Sequence, residues 1–255
     1  MRILASNDDG IHARGMRILV GCLTALGDVF IVAPDRQRSA TGLSITMHRP
    51  LRVKKVKIPG FKVTGWAVDG TPADCIKLAI EDLLEGPPDL VVSGINLGPN
   101  LGNDILYSGT VSAAIEGAIN GFPALAVSLA SYSSEDYSGA SIFLKNFLPV
   151  LAKGGLRPGT LLNINVPATE RPCGVKITRL GSRRYVNIFE KRVDPRGRLY
   201  YWLAGEPVEP EDGAVETDVE AVKNNYISIT PLQLDLTDYK AFDWLKHLTE
   251  AEKLL

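Results

Sequence analysis

The sequence predicts an α/β fold, a doubly wound and mostly parallel sheet with a C-terminal β-hairpin arm. Three observations carry that prediction. Short apolar runs alternate with stretches of helical spacing from the N-terminus to Pro167. Those runs are apolar throughout rather than at every second residue, as strands covered on both faces are. From Ser182 the helical period is lost, and turn residues stand between two β-prone runs.

Each element follows from local chemistry. Residues 1–7 (MRILASN) read as a strand, and 13–26 as a helix with Met16, Leu19, Leu23 and Leu26 on one face. Residues 28–34 (DVFIVAP) form a β-branched run closed by proline. Residues 44–68 read as short β structure inserted into the alternation. Thr71 and Pro72 then start a helix through Leu84, because proline fits the first helical turn. A strand at 88–93, a small-residue helix at 110–120, a strand at 123–129, a helix at 141–151 and a strand at 161–166 complete a core assigned to residues 1–181. Asp194-Pro195-Arg196-Gly197 puts Pro and Gly where a type I turn takes them, so 182–238 reads as an extended hairpin arm. Residues 239–255 read as a closing helix that packs on an α/β core, with Phe242, Leu245 and Leu248 on one face.

Composition narrows the function. The 255 residues are 45% apolar and 22% charged with a formal charge of −1, which argues against a nucleic-acid coat or a membrane-surface protein. No run approaches the roughly 18 apolar residues of a membrane span. Cys22, Cys75 and Cys173 are odd in number and far apart, fitting neither a disulfide framework nor a paired-cysteine zinc site. The expectation is a reduced, cytoplasmic protein.

The glycines exclude familiar sites. No two of the 24 stand two positions apart, so the dinucleotide-binding loop is absent. Neither GxxxxGK[ST] nor Gly-x-Ser-x-Gly occurs. Val68-Asp69-Gly70-Thr71 matches the tail of an aspartyl-phosphate phosphatase motif, but Ala67 stands where the nucleophile would be.

Three loops remain, all at the carboxyl ends of strands, where open α/β sheets bind ligands. Asn7-Asp8-Asp9-Gly10 ends the first strand, and Gly10 permits the turn that brings both carboxylates to one place. Close carboxylates repel unless a cation separates them, and a hard divalent ion does so with oxygen ligands. Alone, such a triplet more often marks a solvated turn or a helix cap. The loop from Ser93 to Asp104 carries glycines at 94, 98 and 102 with Asn96, Asn100 and Asn103, and leads into Tyr107-Ser108-Gly109-Thr110 at a helix start. Free N–H groups there form an anion site to which Ser108 and Thr110 add hydroxyls, although capping alone would satisfy them. The third loop, residues 34–42, adds Ser39 with Arg36 and Arg38.

Taken together and in this order, ILASNDDGIHARGM, APDRQRSATGLSIT, VDGTPADC and SGINLGPNLGNDILYSGTVSAAIEG closely resemble the SurE family, the survival-protein nucleotidases that hydrolyse nucleoside monophosphates. PALAVSL, LLNINVP and ITRLGSRRY extend the match to about residue 185. The resemblance implies a Rossmann-like SurE-type core. It implies one divalent metal ion per subunit, Mg²⁺ or Mn²⁺, held by Asp8, Asp9, Ser39 and Asn96. Phosphate would meet Asn96, Ser108, Gly109 and Thr110. Asp8 or Asp9 would take a proton from water, with His12 a weaker candidate that more often serves as a loop residue. The implied reaction releases phosphate from 5′- and 3′-nucleoside monophosphates and short polyphosphate. A non-catalytic nucleotide or phosphate sensor on the same fold is the alternative, though it gains little from two carboxylates facing an anion.

The arm has its own signal. Tyr185, Phe189, Tyr200, Tyr201 and Trp202 crowd one projecting element, which marks an interface. Its basic residues, Arg183 to Arg198, are answered by an acidic run from Glu206 to Glu220 in the same chain or its neighbour. The resemblance adds homodimers or homotetramers joined through exchanged C-terminal arms.

Overall fold

The chain opens with β1 (Arg2–Ser6), α1 (Arg14–Leu23), β2 (Asp28–Pro34), β3 (Val53–Lys57) and β4 (Thr64–Val68). Helix α2 (Pro72–Leu78) runs into a π-helical turn at Ala79–Leu83, then come β5 (Leu90–Leu97), a 3₁₀ turn at Gly102–Leu106 and α3 (Gly109–Ile119). β6 (Ala124–Ala130), α4 (Ser138–Lys153) and β7 (Leu161–Pro167) follow. The remainder holds β8 (Val175–Ile177), β9 (Arg184–Val186), β10 (Phe189–Val193), β11 (Leu199–Leu203), β12 (Glu206–Val208), α5 (Asp218–Lys223), β13 (Ile227–Leu232) and α6 (Ala241–Glu252). This computed structural model describes residues 1–252 except 156, 187, 204 and 209–215.

Nine strands make one sheet in the order β3-β4-β2-β1-β5-β6-β7-β13-β8. The central strands β4, β2, β1, β5, β6 and β7 are parallel, and β3 and β13 pair antiparallel. Both faces are covered, as the apolar runs required. Ile3 and Ala5 of β1 pack with Met16, Leu19 and Leu23 of α1 and Leu144 and Leu148 of α4. Leu4, which points the other way, packs with Cys75 and Ile76 of α2 and Val111 and Ala114 of α3. Small residues bring α3 close: a Cβ on Gly117 would stand 2.9 Å from Val91 of β5.

Three segments depart from the sequence reading. Residues 44–68 do not interrupt the alternation but extend the sheet, because β4 pairs parallel with β2 from Ile31↔Gly65 to Pro34↔Val68. The lysines of the edge strand β3 stay exposed, which protects a sheet edge from further pairing. Strand β5 continues past Ser93 through an irregularity and pairs Asn96↔Ser128 and Leu97↔Leu129. Gly94 permits that course, with φ +135 and room for no side chain, since a Cβ would lie 2.3 Å from the Val127 carbonyl oxygen.

The third departure lies in the arm. The core reclaims α5 and β13, since β13 pairs antiparallel with β7 and parallel with β8, with Ile227 and Ile229 buried. The arm proper is therefore β9 to β12, with its β10–β11 hairpin turning at Asp194–Gly197 as expected: Gly197 N–H donates to Asp194 O at 3.0 Å. Residues Glu209, Glu211 and Asp212 of the expected acidic run lie outside the described residues. Helix α6, expected on an α/β core, keeps Phe242, Trp244, Leu245 and Leu248 exposed in the single chain. Cys22 and Cys75 are buried free thiols and Cys173 an exposed one. Among the described residues no helix is long and apolar enough to cross a membrane.

Candidate active site

Asp8 and Asp9 follow β1 after Asn7, where Gly10 turns the chain with φ +99. The turn is held from within and without: Asn7 Nδ2 donates to Gly10 O at 2.9 Å, and Ile11 N–H to Pro34 O at 2.9 Å. A Cβ on Gly10 would meet the Arg36 backbone at 3.1 Å, so the third loop lies directly against this turn. Arg38 N–H donates to Asp8 O at 2.7 Å and fixes the two together.

Helix α3 delivers its first turn to the same place. A Cβ on Gly109 would lie 2.8 Å from Asp8 Cβ, so the absence of a side chain lets the helix start abut the carboxylate. Thr110 Oγ1 donates to Asp8 Oδ1. Ser108 caps the helix, its Oγ accepting from Val111 N–H at 3.1 Å. Asp9 Oδ2 accepts from Leu97 N–H at 3.1 Å, tying it to the end of β5. On that strand Asn96 Nδ2 donates to Gly98 O at 2.8 Å, which leaves its carbonyl oxygen, the lone-pair end, free of that contact.

The electrostatics of the pair are set by burial and by the closeness of the two carboxylates. Asp8 is buried, and its pKa is pushed up to about 6, first by burial and then by the charge of Asp9; the Thr110 hydroxyl opposes the rise. Burial also raises Asp9. Among the described residues neither carboxylate has an ion pair, and Arg38 instead serves Asp35 and the Asp69 carbonyl. A buried and a half-buried carboxylate with no ion-pair partner among the described residues fit a divalent ion. No three His, Cys, Asp or Glu side chains converge among the described residues, so further ligands would be neutral oxygens: a hydroxyl, an amide or water. A hard cation such as Mg²⁺ accepts such a set, because it keeps part of its water shell.

The structure thus brings Asp8, Asp9, Ser108, Gly109 and Thr110 together, with Asn96 at the adjoining strand end. Ser39 lies one residue from Arg38 on the abutting loop, exposed, its Oγ accepting from Gln37 Nε2 at 2.9 Å. The Thr110 hydroxyl serves Asp8, which makes it a holder of the carboxylate in this arrangement. His12, His48 and His247 are exposed.

Sequence reasoning missed the anchors of the glycine and asparagine loop. Asn100 is buried: its N–H donates to Asn165 Oδ1 at 2.8 Å and its side chain to Ser128 Oγ at 2.8 Å, while Asn163 and Asn165 donate to its carbonyl. The signal was present in LLNINVP, two amides on one face of an otherwise apolar strand. Asp218, fully buried, accepts from the N–H groups of Gly102, Gly181 and Val219 at 2.7–2.9 Å, and no local pattern announces it. Asp104, two residues on, accepts from Arg183 at 2.8 Å and from Tyr185 at 2.6 Å, joining the loop to the root of the arm.

Comparison with known proteins identifies the family. Residues 3–187 match the family model of survival protein SurE. The chain is 62% identical over 256 residues to the 5′-nucleotidase SurE of Pelotomaculum thermopropionicum, covering 100% of this chain and 98% of the relative. It is 56% identical to the protein of that name from Desulforamulus reducens, over 96% of this chain and 99% of the relative. The crystal structure of the SurE protein from Aquifex aeolicus superposes with a TM-score of 0.83 at 41% identity, covering 97% of this chain and 99% of that one. With a family model matched over residues 3–187 and relatives alike over their full length, the chain belongs to the SurE family.

Proposed function

We propose that this protein is a metal-dependent phosphomonoesterase that releases phosphate from nucleoside 5′-monophosphates, with 3′-monophosphates and short polyphosphate as further substrates of the same site. The observation that carries the reading is the Asp8–Asp9 pair, one buried and one half-buried, with no ion-pair partner among the described residues, set against the glycine-opened start of α3. The names of the full-length relatives supply the nucleotide.

One Mg²⁺ or Mn²⁺ per chain would be held by Asp8, Asp9, Ser39 and Asn96, and what it supplies when bound is polarisation of a phosphoryl oxygen and a more acidic water. The chain does the rest. Thr110 and Leu97 fix the two carboxylates, one of which takes the proton of the attacking water. The first amides of α3 and the Ser108 hydroxyl face the phosphoryl oxygens, where charge grows as the ester bond breaks. Preorganisation comes from the buried amides of Asn100, Asn163 and Asn165, which hold the loop before substrate arrives. Two or four chains would assemble through the β9–β12 arm and α6, whose exposed apolar side chains have no cover in one chain.

Phosphate release from AMP with Mn²⁺ or Mg²⁺, repeated in chelator and after metal is restored, tests the reading. Release that stops with chelator and returns with metal is expected. Binding of AMP without any release would make the protein a sensor instead.

A further inference from the structure

The nucleotidase reading gives the phosphate end of a nucleotide its contacts and leaves the base with none. The geometry points to Tyr132 as the platform on which the nucleobase stacks, a specificity element that rests on the nucleotidase reading and deepens it.

Tyr132 stands two residues past the end of β6, at the carboxyl edge that carries the site. β6 neighbours β5 there, and Gly98 N–H donates to Leu129 O at 3.0 Å. The tyrosine ring lies on Gly98 itself: a Cβ at that glycine would come within 2.7 Å of Cε1 and 3.1 Å of Cδ1. With φ +117, Gly98 takes a backbone conformation that side chains disfavour, so both its shape and its bareness serve the ring. One side of the ring is thus seated on backbone, yet the residue is 74% exposed. The seat is fixed as well, because Ser131 Oγ accepts from the N–H groups of Ser133 and Ser134 at 3.2 and 2.9 Å and holds the bend around Tyr132.

Position relates the ring to the phosphate. The carbonyl of Gly98 accepts from the Asn96 amide, so the ring sits one glycine away from the side chain assigned to metal and phosphate. A ribose separates phosphate from base in a nucleotide, and a platform must therefore stand beside the phosphate site rather than within it. A flat aromatic surface accepts any base, since every base has a π-face, and it gives nothing to a sugar phosphate without one.

The test compares kcat/KM for AMP with that for ribose 5-phosphate in the Mn²⁺-supplied protein. Tyr132→Ala should lower the ratio about tenfold, chiefly through a higher KM for AMP, and Tyr132→Phe should keep it. Affinity for a hydrolysis-resistant methylenephosphonate analogue of AMP gives a readout free of turnover, and should fall by a similar factor in Tyr132→Ala alone. An unchanged ratio and an unchanged affinity in Tyr132→Ala overturn the platform, as does a wild type that binds no analogue. Analogue binding that depends on Tyr132, in a protein that releases no phosphate from AMP, supports the platform and overturns the nucleotidase reading. The two therefore fail separately.

Discussion

The carboxyl edge of the sheet and the β10–β11 hairpin break the rules of globular packing in opposite directions. At the edge, polar groups are buried: Asp8, Thr110, Asn100 and Asp218 are at most 8% exposed. In the hairpin, apolar groups are exposed: Trp202 at 59% and Leu203 at 74%. At the edge Asn100, Thr110 and Asp218 are hydrogen-bonded, and the cost of burial falls on Asp8, whose pKa burial raises; in the hairpin the cost is that of bare apolar surface. On the proposed function the Asp8–Asp9 pair calls for an ion and an anionic substrate, and the bare aromatics for a second protein surface. On that reading the same fold would separate chemistry from assembly, and the Asp104 contacts with Arg183 and Tyr185 join the glycine loop to the root of the arm.

That comparison can be broken at several points. The largest effect is expected at the carboxylates: Asp8→Asn or Asp9→Asn should lower turnover by roughly a thousandfold or more, since both metal ligation and charge stabilisation are lost. The melting temperature in chelator should hold or rise, because ionised Asp8 is a burden on the metal-free fold, its pKa standing at about 6 against 3.8. Near-normal turnover in Asp9→Asn would remove it from the site. Next comes the arm: replacing residues 189–203 with a short Gly/Ser linker should give smaller particles by sedimentation while phosphate release persists. The cut must stop short of Asp218, which belongs to the core. A wild type that sediments as a monomer at micromolar concentration would return the hairpin to its own chain.

A smaller effect is expected at Asp218. Asp218→Ala strands three buried N–H groups, so denaturant melts should show a loss of about 3 kcal/mol. The smallest belongs to Ser108→Ala. Loss of the cap costs about 1 kcal/mol of stability, and if the hydroxyl also favours the transition state, kcat should fall roughly tenfold or more with little change in KM. A stability loss with unchanged kinetics would leave Ser108 as a cap only.

What was legible in the sequence were features whose cause is local. Asp8-Asp9-Gly10 announces its turn because glycine alone favours φ +99, and Asp194-Pro195-Arg196-Gly197 announces the hairpin because proline and glycine dictate the turn. Residues 28–34 read as a buried strand and are one. What was hidden depends on distant partners. Asp218 serves Gly102 across 116 residues, and nothing near Asp218 records that it lies beneath the glycine loop. β13 follows a hairpin and a short helix of six residues, and its entry antiparallel to β7 has no periodic signature. The apolar run of strand β5 ends at Ser93 in the sequence, whereas Gly94 lets the backbone pass the Val127 carbonyl and the strand goes on to Asn96.

The central claim is that the buried carboxylate edge is a cation site that drives hydrolysis, and a Mn²⁺ titration followed by electron paramagnetic resonance tests it most directly. The wild type should remove one Mn²⁺ per chain from the free-ion signal, and the Asp8→Asn, Asp9→Asn double variant, still folded, should remove none. A double variant that binds Mn²⁺ as the wild type does would contradict the account.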